Sequence, residues 1–177
     1  MWRATHPNAA DCERLSELRE KYDCTPLVIH VSYLVNLCSQ SAEVRSKSIT
    51  AFRGEVERAL ALGADYLVLH PGSWRGLTRE EGLTLAAESI AQATEGIDLA
   101  GGGLRVLIEN TAGAEFSLGG TLEQVAELVE RLRACAPVGV CLDTCHLHVK
   151  GYDIVTAEGW AETTKLTAET VGLEARE

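Results

Sequence analysis

No apolar run in the chain approaches the ~18–20 residues that a transmembrane helix requires, so we expect no membrane span. The N-terminal segment MWRATHPNAADCERL has no apolar core of the signal-peptide kind, and we expect a cytoplasmic protein. The six cysteines include no CxxC pair and no compact disulfide spacing, which favours reduced thiols.

Basic residues are also scarce: 16 Lys and Arg stand against 26 Asp and Glu, which gives a formal charge of −10. This balance favours solubility and counts against nucleic-acid binding through a basic surface. It does not exclude such binding, because bound metal ions add local positive charge that a count of side chains omits. A glycine-rich phosphate loop after a strand is missing as well, since the GGG at 101–103 precedes a predicted strand.

Helical segments alternate with short apolar runs along the chain. We predict helices over residues 8–22, 42–62, 79–97, 122–132 and 157–171, and strands over 26–31, 67–70, 104–109 and 138–143. Each of the last four helices follows a capping residue: Ser41, Thr78 (in a capping box with Glu81), Thr121 or Thr156. The segment HLHVKGYDI at 146–154 is predicted to be a loop. This alternation implies right-handed βαβ crossovers and a parallel sheet.

The number of predicted strands limits the architecture. A closed βα barrel needs eight parallel strands and roughly 250 residues, whereas this chain of 177 residues offers four strands. The sequence therefore predicts an α/β fold, a partial (β/α)8 TIM barrel in which four parallel strands alternate with helices. No linker-like shift in composition divides the chain, so we expect a single domain over residues 1–177.

Imidazole or carboxylate side chains stand at or next to the C-terminal ends of all four predicted strands. His30 follows PLVI, His70 follows DYLVL, Glu109 follows RVLI, and Asp143 ends VGVCLD three residues before His146. Neighbouring parallel strands lie ~4.8 Å apart and end at the same edge of a sheet, so these side chains can converge on one ion. Imidazole and carboxylate together suit zinc, manganese or iron. Glu109 has two oxygens and can bridge two metal ions, which prepares for two-metal phosphoryl chemistry.

Other side chains near these positions are weaker candidates. Cys141 and Cys145 flank Asp143, where a thiolate ligand to zinc is the alternative to a buried apolar cysteine. His148 is expected to point away from the metal, and His6 is expected to be a surface residue.

At these positions the chain resembles the endonuclease IV family of apurinic/apyrimidinic endonucleases, members of the xylose isomerase-like barrels. The matching stretches are IHVSYLVNL, GADYLVLHPGS, VLIENTAG and GVCLDTCHLHVKGYDI, and the similarity extends from Met1 and Trp2 to the ETVGL at 169–173. The resemblance implies a DNA-repair hydrolase with three zinc ions. It implies that the partner is double-stranded DNA containing abasic sites, cleaved at the phosphodiester on the 5′ side of the lesion.

The resemblance also implies a role for each candidate residue. His30 and His70 match ligands of one zinc ion, and Glu109 matches the catalytic carboxylate that bridges to a second. Asp143 matches a further ligand of the second zinc, and His146 matches a ligand of the third. Tyr33 matches a side chain that enters the DNA at the lesion, although an exposed loop aromatic is the alternative.

Parts of the family pattern have no counterpart in this sequence. The family's first strand would precede Met1, and its last strands, with the remaining zinc ligands, would follow Glu177. We therefore expect an interior fragment that holds fewer zinc ions than the complete, monomeric form and self-associates through its exposed sheet. A sugar isomerase or epimerase of the same superfamily and a non-catalytic metal-binding fragment remain as alternatives.

Overall fold

In the computed structural model, which describes residues 4–172, helices alternate with the strands of a parallel sheet. The strands are β1 Val28–His30, β2 Tyr66–Leu69, β3 Arg105–Glu109 and β4 Val138–Cys141. The helices are α1 Ala9–Tyr22, α2 Ala42–Ala61, α3 Arg79–Thr94, α4 Leu122–Leu132, α5 Thr144–Lys150 and α6 Ala157–Val171. Met1 and Trp2, where the resemblance begins, and the last five residues of the predicted domain lie outside the described residues.

The sheet has the order β1-β2-β3-β4, and each pair of neighbours is parallel. The register places His30 beside Val68, and Glu109 beside Cys141. This arrangement confirms the predicted α/β fold, a partial TIM barrel of four parallel strands alternating with helices. Because all strands run the same way, their C-terminal ends lie at one edge of the sheet. Self-association of the exposed sheet stays a prediction.

Alternate strand residues pack against the helices and form the core. Phe52 of α2 and Leu83 of α3 belong to this cluster, as do four strand residues that are at most 1% exposed: Leu67, Leu69, Val106 and Ile108. Burial of an aliphatic side chain of this size contributes about 1.5–3 kcal/mol to the stability of the fold. This layer therefore holds the strands in the positions that bring their C-terminal ends together. On the opposite face the sheet is less covered, and Val28 is 50% exposed.

The predicted caps are present at the helix N-termini. Ser41, Thr78, Thr121 and Thr156 each accept a hydrogen bond from the backbone N–H three residues later. Thr78 and Glu81 form the reciprocal capping box. Helix α3 ends at Thr94 rather than near Ile97, because Glu95 has a ψ of 127° and Gly96 follows with a φ of 74°. Within the described part of the chain, no helix is long and apolar enough to cross a bilayer.

The prediction of a loop from residue 146 is wrong, because residues Thr144–Lys150 form α5. Asp143 is the N-cap of this helix, and Gly151, with a φ of 97°, ends it in the left-handed conformation. The helix buries Leu147 alone, so it lacks the apolar periodicity by which longer helices are predicted. Strand β4 also ends earlier than predicted, at Cys141, which places Asp143 just beyond the sheet.

Candidate metal centre

All five side chains predicted as metal ligands converge at the C-terminal edge of the sheet. Their donor atoms form two groups, in each of which the atoms lie within 4.8 Å of one another. We call His30, His70 and Glu109 the first group, and Glu109, Asp143 and His146 the second group. Glu109 belongs to both.

Glu109 lies between the two groups, and its side chain is 5% exposed. One carboxylate oxygen, Oε2, lies 2.9 Å from Nε2 of His30 and 3.1 Å from Nε2 of His70. The other oxygen, Oε1, lies 3.3 Å from Nδ1 of His146. Each oxygen therefore faces a different group, which is the arrangement that a bridging carboxylate requires.

The histidines of the first group present ring nitrogens that fit a cation. Nδ1 of His30 lies 2.7 Å from the carbonyl oxygen of Val31, which can only accept, so in the neutral ring Nδ1 carries the hydrogen and Nε2 a lone pair. Nε2 of His70 is buried and lies close to Glu109, but not in the direction of a hydrogen bond. Among the described residues it is the one buried side-chain polar atom without a hydrogen-bond partner. A buried nitrogen of this kind is unfavourable unless it gains a partner, and with the His30 nitrogen and the Glu109 carboxylate beside it, the residues present fit a divalent metal.

Electrostatics favour a charged carboxylate at the centre of the site. Burial raises the pKa of Glu109, but the imidazoles of His70 and His30, whose Nε2 atoms lie 3.1 and 2.9 Å from Oε2, together outweigh burial and hold this pKa below its usual value. Glu109 is therefore ionised at neutral pH, the form that binds metal ions.

The two cysteines beside Asp143 lie outside both groups. Burial, followed by the charges of Glu109 and Asp143, raises the pKa of the Cys141 thiol, which opposes the thiolate form. Cys145 is exposed, and neither cysteine belongs to a candidate metal group within residues 4–172. These observations favour the apolar alternative for Cys141 over a thiolate ligand.

Helix α5 positions two members of the second group, because Asp143 is its N-cap and His146 lies in its first turn. Oδ1 of Asp143 accepts the backbone N–H of His146 at 2.9 Å, and Oδ2 lies 3.8 Å from Nδ1 of the same histidine. One carboxylate oxygen thus caps the helix while the other remains near the imidazole. Nδ1 of His146 also lies 2.9 Å from the carbonyl oxygen of Asn110, a buried residue that the sequence did not single out.

Tyr33 contacts the two histidines of the first group and lines a cleft. Its ring centroid lies 5.0 Å from those of both His30 and His70, and the residue is 78% exposed. The cleft has a volume of about 340 Å³, and its lining includes Tyr33, His70 and His146. His6 and His148 belong to neither group.

The loops after β2 and β3 form one wall of this cleft and are joined to each other. Ser73 and Ser117 form an isolated antiparallel bridge, and Trp74 donates its backbone N–H to the carbonyl oxygen of Phe116 at 2.8 Å. The rings of Trp74 and Phe116 meet edge to face at 5.0 Å, and the guanidinium of Arg75 lies 5.2 Å from the Phe116 ring centroid. These contacts hold the two loops together beside the cleft.

Comparison with known proteins finds sequence relatives along nearly the whole chain. The family model of the xylose isomerase-like TIM barrel matches residues 2–175. The "Probable endonuclease 4" of Solibacter usitatus (strain Ellin6076) is 47% identical over 98% of this chain and 60% of that protein. The matches to this relative and to one from Chloroflexus aurantiacus span 60% and 51% of their lengths, so the chain spans little more than half of the curated relatives it matches.

Solved structures share the fold. Endonuclease IV from Thermus thermophilus superposes with a TM-score of 0.79 and 36% identity, over 98% of this chain and 59% of that one. A D-tagatose 3-epimerase-like protein superposes with a TM-score of 0.66 and 23% identity, over 86% of this chain and 57% of that one. At that lower identity the likeness concerns the fold alone.

Proposed function

Since the chain belongs to the xylose isomerase-like TIM barrel family, and its predicted similarity to endonuclease IV is confirmed, we propose that it carries the metal centre of a zinc-dependent DNA-repair endonuclease. The proposed substrate is double-stranded DNA containing an abasic site, cleaved at the phosphodiester 5′ to the lesion. The observation that carries this proposal is the meeting of two ligand groups at the Glu109 carboxylate.

The donor types support the following proposed distribution of the candidate residues over the metal ions. His30, His70 and Glu109 would hold one zinc ion, and Glu109 with Asp143 would hold a second. His146, which the family resemblance associates with a third ion, lies in the same group as Asp143 and is available to either. When bound, zinc polarises a phosphoryl oxygen and supplies hydroxide at neutral pH.

The protein's own side chains orient these groups. Val31 accepts the hydrogen of His30 Nδ1 and so turns Nε2 toward Glu109. The ionised Glu109 would balance the positive charge of bound metal ions. One of its oxygens faces His30 of the first group, and the other faces His146 of the second group. Because the chain carries a formal charge of −10, bound cations would supply the local positive potential that attracts the DNA backbone.

Tyr33 is the proposed contact to DNA at the lesion. Its ring is exposed, borders the cleft and packs against two candidate ligands, tilted against His30 and edge-on to His70, so it lies where an abasic nucleotide would approach the metal centre. Aromatic stacking on a base contributes about 1–3 kcal/mol to binding and does not depend on sequence, and at an abasic site the ring would stack on a base that flanks the gap.

A cleavage assay tests the proposal. The zinc-loaded chain is incubated with an end-labelled duplex that carries one tetrahydrofuran abasic analogue, with an undamaged duplex as the control. We expect a single cut 5′ to the analogue, lost on chelation and in Glu109→Gln, and no cut in the undamaged duplex. Parallel incubation with ketoses tests the isomerase or epimerase alternative.

The outcomes separate the alternatives. Ketose epimerisation without DNA cleavage would replace the proposal by a sugar epimerase. A chain that binds zinc tightly but turns over neither DNA nor ketose would replace it by a non-catalytic metal-binding protein.

A further inference from the structure

Asn110 follows Glu109 at the end of β3 and is 3% exposed. Its side-chain amide pairs with both backbone groups of Asp143: Oδ1 accepts the N–H of Asp143 at 2.6 Å, and Nδ2 donates to the Asp143 carbonyl at 3.2 Å. A primary amide offers one acceptor and two donors, so it reproduces here the pairing that a neighbouring strand would supply.

This pairing continues the sheet beyond its last ladder position. The register of β3 and β4 ends with Glu109 beside Cys141, and the N–H of Asn110 donates to the Cys141 carbonyl at 3.2 Å. Asp143 lies two residues after Cys141, beyond the last position at which β4 pairs with β3 in the described sheet. The Asn110 amide therefore holds the backbone of Asp143 at a fixed distance from Glu109.

The main chain of Asn110 contacts His146, the remaining member of the second group. Its carbonyl oxygen lies 2.9 Å from Nδ1 of His146. A carbonyl can only accept, so in the neutral ring the hydrogen lies on Nδ1, and Nε2 keeps the lone pair for a metal ion. Both partners of Glu109 in the second group are thus fixed by the residue that follows it.

We propose that Asn110 is a positioning residue that sets the geometry of the second group through Asp143 and His146, without itself binding the ion. This inference rests on the proposed metal centre. It does not extend to the first group, whose His30 is oriented by Val31 rather than by Asn110.

The chain contains a matched control. Asn36 pairs in the same way with Ser73, accepting its N–H at 3.0 Å and donating to its carbonyl at 3.2 Å. This pair joins the loops after β1 and β2, and although Asn36 and His146 line the same cleft, the described structure has no hydrogen bond from Asn36 to Asp143 or His146. Asn36→Ala therefore removes the same kind of amide pairing while the hydrogen bonds of the second group stay in place.

The test is a titration of the metal-free chain with Co²⁺, followed by visible absorption. The variants His30→Ala and Asp143→Ala assign each of two binding events to a group. In Asn110→Ala we expect the second-group event to weaken by about 10–100-fold, the range for residues that orient metal ligands, and its absorption bands to change. In Asn110→Ala the first-group event should remain as in the unaltered chain. In Asn36→Ala the second-group event should remain as in the unaltered chain.

Urea unfolding of the same samples separates positioning from a general loss of structure. If Asn110→Ala does not fold, Asn110→Ser, which is too short to reach both groups of Asp143, gives the same comparison. Equal weakening of both events, or an unchanged second event, would overturn the inference and leave the proposed function standing. An unaltered chain that binds no second ion would overturn both.

Discussion

Replacement of Glu109 by glutamine should weaken both metal groups at once, because this carboxylate is the residue they share. Glutamine keeps the shape of the side chain and one oxygen, so the core around this 5%-exposed position is preserved. What it removes is a negative charge and one of two oxygens, which face His30 on one side and His146 on the other.

The expected size of the effect follows from the burial of the charge. At the effective dielectric of about 20 that applies to partly buried groups, two unit charges ~4 Å apart interact by about 4 kcal/mol. A divalent ion doubles this attraction, and desolvation of the carboxylate in the unaltered protein offsets part of it. Since ~1.4 kcal/mol corresponds to a tenfold change in affinity, we expect each group to lose at least ~100-fold in affinity for zinc.

Isothermal titration of the metal-free chain with zinc, in competition with a chelator, measures both affinities. Glu127→Gln is the matched control, because Glu127 is also an ion-paired glutamate, 2.9 Å from Arg79 and 2.8 Å from Arg131, on the outer surface of α3 and α4. The control should bind zinc as the unaltered chain does. Retention of either group's affinity in Glu109→Gln would refute the shared-carboxylate reasoning.

Three further predictions concern recognition and stability. Tyr33→Ala should weaken binding to an abasic duplex by about 5–150-fold in fluorescence anisotropy, from the ~1–3 kcal/mol of one stacking contact. Because Tyr33 is 78% exposed, the unfolding midpoint should not move, and a shifted midpoint would contradict a surface role. Thr121→Ala should lower the free energy of unfolding by about 1 kcal/mol in urea, because the Gln124 N–H loses its cap; an unchanged value would contradict the capping role. Hydrogen bonds from the backbone and side chain of Thr78 hold the pKa of Glu81 below its usual 4.5, so its charge stabilises the fold above that pH and this contribution is lost as the pH falls through the lowered pKa. The stability difference between the unaltered chain and Glu81→Gln should therefore shrink in urea titrations below pH 4.5, and a difference that stays constant would contradict the assignment.

The first group could be predicted from sequence because it depends on a local feature of each strand. His30, His70 and Glu109 are each the first polar residue after an apolar run, and parallel strands bring such residues to one edge of the sheet. The strand bounds differ from the prediction by a few residues at most, which does not change the edge at which the side chains emerge.

Other parts of the site depend on contacts between distant residues and leave no local signal. Asn110 and Asp143 are 33 positions apart, and their pairing follows from the register of β3 and β4. Helix α5 is an intermediate case: its short length hides the apolar period, but Asp143 before it and Gly151 after it are capping residues that a closer examination of the sequence could have used.

X-ray diffraction at the zinc absorption edge, from crystals of the zinc-loaded chain, tests the metal centre most directly. A metal centre shared at Glu109 predicts anomalous peaks on both sides of this carboxylate, about 2.0–2.2 Å from its oxygens, with one peak at the same distance from Nε2 of His30 and His70. Zinc found only at side chains outside both groups, such as His6 or His148, with no peak beside Glu109, would contradict it.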